Sequence, residues 1–569
     1  MIETPAVAVA EASADVVVTG SAAPSITNVQ EAGVDEGGIV KQAGDYLIIL
    51  RRGRLFTVSI ADGGLRPVDA INAYPPGADA AGDWYDEMLV SGDWVVVVGY
   101  SYSRGGTEIN RFRLSPQGRL SFVDAYHLRS NDYYSSRNYA SRLVGDELIF
   151  YAPLELYWNR DPLEVLPGMR RWTGEADAKF RPIARPEQIY VPQRLRDDRT
   201  AEITTLHTLS RCDLTAERMT CEGVGVLGSD SRTFYVSTQA LYLWVGQDWY
   251  RGPGAQEGLS FVYRLPLAET APTAVQVRGQ PVDQFSFREN RAAQTLDVFV
   301  SSDGGGDAMW RPEVTRGDAA LLRLPLGLFG DGSVRAGSEL YRELPGADGG
   351  SIDRNRWVGD RLLYSLRTYG FDGVAAGTLV AASLEGGVTS IAMPHVVDRI
   401  EVMGRDALTV GGDEDVQFTT IELDPGSAVI GDRYVLQSSQ EAEERSHAFF
   451  YSPDPDSPDG SSGVVGLPVM RSADGRSTLF YSIADMLFLR REARRLGPYG
   501  RLDSSPGTAV DDACVASCAD WYGNARPIFI GDRIFALMGY ELVEGAREAE
   551  TVREVGRISF APPARGQQR

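Results

Sequence analysis

The chain is short of lysine and histidine, and each shortage excludes something. Only two of its 56 basic residues are lysines, Lys41 and Lys179, a skew that reads as codon bias toward arginine. Its four histidines, His127, His207, His395 and His447, each stand at least 50 residues from the next, so no spacing marks a histidine metal site. No run of 18 apolar residues exists, which removes a helical membrane span. G-x-S-x-G, H-E-x-x-H and P-loop patterns are absent, so the familiar hydrolase and nucleotide signatures are missing. Positive charge is also in deficit: 56 Lys+Arg against 78 Asp+Glu give a formal charge of -22, a surface that repels phosphate backbones. Nucleic acid is therefore not an expected partner.

What the chain has is rhythm. A Gly-Asp or Gly-x-Asp turn runs straight into a short β-type stretch at Gly44, Gly92, Gly145, Gly359, Gly404, Gly431 and Gly531. Gly supplies φ > 0 and Asp caps its own backbone, so each phrase reads as a turn followed by a strand. With 61 Gly and 30 Pro spread between β runs, the chain is turn-rich and all-β. A supersecondary unit reused at intervals marks a repeat architecture.

Each unit holds four short strands, as in GIVKQ, YLIIL, RLFTVSI and LRPVDAI, and four-stranded meanders repeated radially make a β-propeller. Nine units can be counted, whereas propellers usually hold about four to eight blades, so some units are expected to be shared. The expectation is a single propeller of four-stranded antiparallel blades, eight in number with seven the alternative, the N- and C-terminal strands closing one blade together. Residues 1–25 read as a flexible tether, 26–560 as the propeller and 561–569 as a tail.

The four cysteines form two sequence-local pairs. Cys212 and Cys221 flank a turn between two β runs, and Cys514 and Cys518 share the loop DDACVASCADW. No cysteine is left over, which favours two disulfides and an oxidising compartment. A soft-metal site at the second pair is the competing reading, weakened by the lack of a nearby histidine.

Residues 153–202 interrupt the rhythm with a Pro-rich insertion carrying Trp158, Trp172 and eight arginines. Arg and Trp are residues that binding hot spots favour, so the insertion is a candidate contact surface, against the plainer reading of a loop packed over one end of the ring.

The stretch TNVQEAGVDEGGIVKQAGDYLIIL, residues 27 to 50, resembles the opening signature of a family of secreted bacterial and archaeal proteins with a β-propeller domain distantly related to tryptophan-aspartate repeats. Further matching stretches are TFYVSTQALYLW, RWVGDRLLYSL, SHAFFYSPDPD with GVVGLPV, and ARPIFIGDRIFAL. The resemblance implies an exported propeller, secreted or periplasmic, and carries no assigned reaction. Three departures stand out: Ser446-His447 replaces an acidic-histidine pair, VDEGGIVK replaces VDEADIVK, and a long Pro-Gly-Phe segment shrinks to MPHVVD around His395.

Asp35, Glu36 and Lys41 form the most suggestive cluster. Near a propeller axis they could bind a cation or basic ligand; equally, they could cap turns where the ring closes. SPDPDSPDGSSG places Asp454, Asp456 and Asp459 before Gly460, yet Pro458 stands where the third ligand of a calcium loop belongs and no bidentate Glu follows. No cofactor is predicted, with a looser calcium site left open. The functional expectation is an exported binding or scaffolding module presenting loops and a central pocket to a protein, peptide or glycan, with Asp35, Glu36, Lys41, Trp158, Trp172, His395 and His447 as candidate binding residues. The alternative is a hydrolase or lyase assembled from several blades, since propellers host such sites without local motifs.

Overall fold

In the computed structural model, six of the seven Gly-Asp phrases are hairpin turns: Gly44, Gly92, Gly145, Gly359, Gly404 and Gly531 all have φ between 54° and 64°. That is the conformation a two-residue hairpin asks of its first central residue, and glycine adopts it without strain. The seventh departs. Gly431 lies inside the strand Ser427–Leu436, where a Cβ would come within 2.5 Å of Thr420 Oγ1. Here glycine answers a close approach beside a register shift rather than a turn.

The structure describes residues 26–131, 140–156, 165–174, 178–197, 203–246, 260–268, 271–303, 315–369, 375–412, 414–471, 484–505 and 512–562. Among these residues the strands form eight hydrogen-bonded sheets, mostly four-stranded antiparallel meanders. The first runs Val40–Ala43, Tyr46–Arg51, Arg54–Ser59 and Arg66–Asn72; the last runs Ala525–Ile530, Arg533–Met538, Glu541–Arg547 and Val552–Ser559. The second strand of each meander is buried on both faces, as in WVVVVGYS from Trp94 to Ser101, because neighbouring sheets stack against both sides.

The fifth sheet has eight strands because one strand, Tyr341–Val358, serves two meanders. Its first part pairs with Thr315–Pro325 and its last part with Arg361–Tyr369. The two halves nevertheless face each other: Phe299 and Leu321 pack on Leu362, Tyr364 and Val380, with the Phe299 and Tyr364 rings 4.4 Å apart.

Closure also differs from the expected shared blade. The opening strand Asp35–Glu36 joins the third sheet beside Ser141–Val144, and the first sheet meets the last face to face. Phe56 packs on Tyr540 and Phe560, the Arg51 guanidinium lies 4.2 Å from the Tyr540 ring centre, and Arg533 donates to the carbonyl of Ile60. The Cys514–Cys518 loop fastens this junction. Asp520 receives Arg51 at 2.9 Å, Asp512 receives Arg52 at 3.0 Å, and Ser517 Oγ accepts from the Tyr85 amide at 2.6 Å.

Both cysteine pairs are disulfides. Cys212 and Cys221 stand directly opposite across the hairpin of Thr205–Asp213 and Thr220–Gly228, with Cα atoms 4.1 Å apart. The chain-entropy model assigns a loop of that size about 2–3 kcal/mol. Replacing both cysteines by serine is expected to lower the guanidinium unfolding midpoint accordingly; an unchanged midpoint with the same slope would show that the bridge contributes nothing to stability.

Candidate functional site

The opening signature turns out to be a girdle around the inner edges of the sheets. Asn28 Nδ2 donates to Glu401 Oε2 at 3.0 Å and to the Ser446 carbonyl at 3.2 Å; Gln30 Nε2 donates to the Gln284 carbonyl at 2.7 Å. Tyr235 then donates to Glu31 at 2.6 Å, Asp35 and Glu36 pair with Leu143 and Arg142, and the Gly38 amide donates to the Met88 carbonyl at 3.1 Å. Finally Ile39 accepts from the Leu50 amide at 2.8 Å, delivering the chain into the first sheet. Gly37 is where the girdle runs tightest: a Cβ there would meet Ser141 Oγ at 2.4 Å and Glu87 Oε2 at 2.8 Å. An alanine, as in the related signature VDEADIVK, could be accommodated only if those side chains moved.

The suggestive acidic cluster splits into two roles. Lys41 Nζ donates to Asp35 Oδ1 at 2.7 Å and to the Glu36 carbonyl at 2.6 Å, which pins the turn. The Glu36 carboxylate points elsewhere, accepting from His447 Nε2 at 2.9 Å and lying 3.8 Å from Arg142 Nε. Burial by itself would raise the Glu36 carboxyl, but Arg142 and the His447 hydrogen bond outweigh it and bring it down to about 2. Burial pushes His447 down to about 4, a drop that Glu36 only partly offsets. Near neutrality the pair is thus carboxylate and neutral imidazole, both sealed from water with Glu36 and His447 each 2% exposed.

His395 does not join them. It donates from Nδ1 to the Val396 carbonyl at 2.7 Å and accepts from Thr419 at 3.0 Å within the sixth sheet. His207 is likewise structural, bridging Tyr151 at 2.8 Å and the Ser229 carbonyl at 2.7 Å, while His127 lies 3.2 Å from Glu108.

The described part of the insertion runs along outer edges. Gly168–Arg171 extends the second sheet beside Leu120–Leu128, and Ile189–Tyr190 pairs in parallel with Thr220–Gly228. Trp172 is half-buried there, near His127 and 5.5 Å from the Arg104 guanidinium. Trp158 lies outside the described residues. The carboxylates of the SPDPD loop do not converge: Asp454 is held by Arg490 at 2.9 and 2.6 Å, Asp459 accepts from Ser457 and Ser461, and Asp456 is exposed. Among the described residues no three metal-ligating side chains gather.

Arginine is what the sequence reading passed over. Arg399 donates to Glu441, Glu401 and the carbonyls of Arg445 and Glu443; Arg356 donates to Glu401 at 2.6 Å; Arg526 donates to Glu443 at 2.5 Å and to the Tyr522 carbonyl. The signal was present, because SRLV, RIEVM and ARPIF each place an arginine in the first two residues of an innermost strand, and RNRWV places two near the end of Tyr341–Val358. Beside this network, Asp283, Phe285, Arg354, Asn355, Arg356 and Glu401 line a cleft that opens to solvent.

These features define a β-propeller whose inner edges are tied by a buried girdle of ion pairs. Residues 24–305 match the beta propeller domain family, and over that stretch the chain belongs to it. No curated protein matches the chain. Among solved structures it is similar to apo AztD from Citrobacter koseri, at 9% identity and TM-score 0.32, covering 93% of this chain and 95% of that one. It is similar also to a functionally unknown protein from Desulfotomaculum acetoxidans DSM 771, at 10% identity and TM-score 0.29, with 63% and 94% covered. Oligopeptidase B from Leishmania major gives 10% identity and TM-score 0.33, with 78% and 54% covered.

Glu36→Gln should cost about 3–5 kcal/mol, because Arg142 loses its charged neighbour in a buried site. The pH dependence has a definite sign. A depressed folded pKa leaves stability intact above the unfolded value and removes it as pH falls, so His447 contributes a loss between pH 6.5 and about 4, and Glu36 one between 4.5 and about 2. Melting temperature against pH should therefore fall more shallowly from pH 6.5 to 4 in His447→Gln than in the parent; parallel curves would contradict this assignment.

Proposed function

We propose that the chain is an exported β-propeller that binds rather than catalyses, using its axial cleft to hold a protein, peptide or glycan partner. The observation that supports this most is the state of the axial titratable groups. Glu36 and His447 face each other in a dry contact, and His395 is engaged in the sixth sheet. General acid–base work needs a group within reach of substrate and poised near the working pH, and the inner groups named in sequence meet neither requirement. The cleft, by contrast, is open and polar. Two disulfides favour an oxidising, extracytoplasmic compartment, which agrees with the family resemblance.

Blade number belongs to the same reading. Because the halves of the eight-stranded sheet pack face to face as neighbouring sheets do, we count nine meanders in the ring, one more than the eight blades expected from sequence.

The test uses the full chain immobilised against exported proteins and glycans of the source organism. A partner held by the parent should be lost in Arg354→Glu, at the cleft rim, and kept in Trp172→Ala, on the outer edge. Loss in Trp172→Ala alone would move the contact surface to the insertion and overturn the axial assignment.

A further inference from the structure

The cleft has two hydrogen-bonding needs that the protein leaves unmet. Asn355, 4% exposed, spends its Nδ2 on Asp283 at 2.8 Å, while its Oδ1 is buried with no partner. Arg356, 6% exposed, stacks 3.9 Å over the Phe285 ring and commits only Nη2, to Glu401. Among the described residues no acceptor takes the hydrogens of its Nε and Nη1. Glu401 receives Arg399 Nη1 at 2.9 Å, Arg356 Nη2 at 2.6 Å and Asn28 Nδ2 at 3.0 Å, and neither Arg356 Nε nor Nη1 bonds to it. A buried acceptor left empty is costly, and the spare hydrogens of Arg356 are not sealed from water, so a ligand can reach them.

Resting on the binding reading above, we propose that this cleft captures the C-terminal carboxylate of a peptide. Arg356 donates to the carboxylate, and Asn355 Oδ1 accepts the last peptide N–H. The two open valences are a cationic donor and a neutral acceptor, which is the complement of a chain terminus carrying an anion next to an amide. Charge-assisted pairing of guanidinium with carboxylate is the stronger of the two contacts. The cleft has a volume of about 40 Å³ and opens to solvent, so the end of a chain can enter it from outside. Glu401, Asp398 and Glu444 line the same cleft, so a dianionic phosphate meets more repulsion than a monoanionic carboxylate does.

The experiment compares two pools of random hexapeptides labelled at the N-terminus with tetramethylrhodamine, identical except for a free or an amidated C-terminus, by fluorescence anisotropy on the full chain. The free-acid pool should bind saturably and at least ~10-fold more tightly than the amide pool, about 1.4 kcal/mol. Arg356→Lys, which keeps a cation beside Glu401, should bring the acid pool to the level of the amide. The parent comparison needs no variant, so misfolding of Arg356→Lys cannot hide the answer. Equal affinity for both pools, no saturable binding, or acid binding unchanged in Arg356→Lys each overturns the carboxylate assignment. Full displacement by equimolar acetate also overturns it, reducing the site to one for simple anions. A partner still lost in Arg354→Glu while the two pools bind alike would leave the axial binding reading standing and sink this one alone.

Discussion

The inner edge of a closed ring of sheets is a problem in hydrogen bonding, and the contact of Glu36 with Arg142 and His447 is where this protein solves it. The innermost strands have no further strand of their own sheet on the axial side, and around Glu36 and His447 water is excluded. Unpaired backbone groups there would each cost free energy comparable to a lost hydrogen bond. The girdle from Ile26 to Ile39 supplies the missing partners: it pairs with Arg142 and Leu143, and bridges to Met88. Carrying Glu36 inward, it also brings a negative charge to a place that arginines already occupy. Removing either side would strand the other, which is why the network is more a condition of assembly than a source of net stability.

The outer rim meets the same difficulty with different means. Exposed edge strands invite unwanted pairing, and several sheets cover theirs with strands borrowed from connecting segments. Gly168–Arg171 covers the second sheet, Ile189–Tyr190 the third and Asp331–Arg335 the fourth. Seen this way, the described part of the insertion after Pro153 is edge protection, and its arginines serve that layer: Arg170, for example, donates to the carbonyls of Ala178 and Arg104.

How much was legible follows from which signals are local. Hairpins are local, so Gly-Asp turns, the meander and the two disulfides could be read from composition and spacing. Gly431 misled because a glycine demanded by a close approach looks like one demanded by a turn. Closure was misjudged because it depends on which faces meet across hundreds of residues, and Phe56 against Tyr540 leaves no mark at either position. The axial network was half visible: Glu36 and His447 were singled out separately, and their 2.9 Å contact spans 411 residues of sequence. Arginines recur on inner strands of several sheets, at Arg142, Arg356, Arg399 and Arg526, a recurrence that a residue-type count dissolves into codon usage.

That arginine preference is itself physical. A buried lysine readily gives up its proton, so a network built on lysine would tend to neutralise itself in so dry a place. Guanidinium stays charged and divides its hydrogens among several acceptors, as Arg399 does with two carboxylates and two carbonyls. Lys41, the one lysine at the centre, keeps company with Asp35 and two further oxygens, those of Glu36 and Thr27. Most of the inner guanidiniums are thereby committed to the fold. Arg356 is placed differently: the girdle's Asn28 shares its acceptor Glu401, leaving part of its fork uncommitted beside an equally unmatched Asn355. The segment that completes the ring's interior thus also fixes which hydrogens remain to be given away, so the closing of the fold and the opening of the cleft arise from one set of contacts.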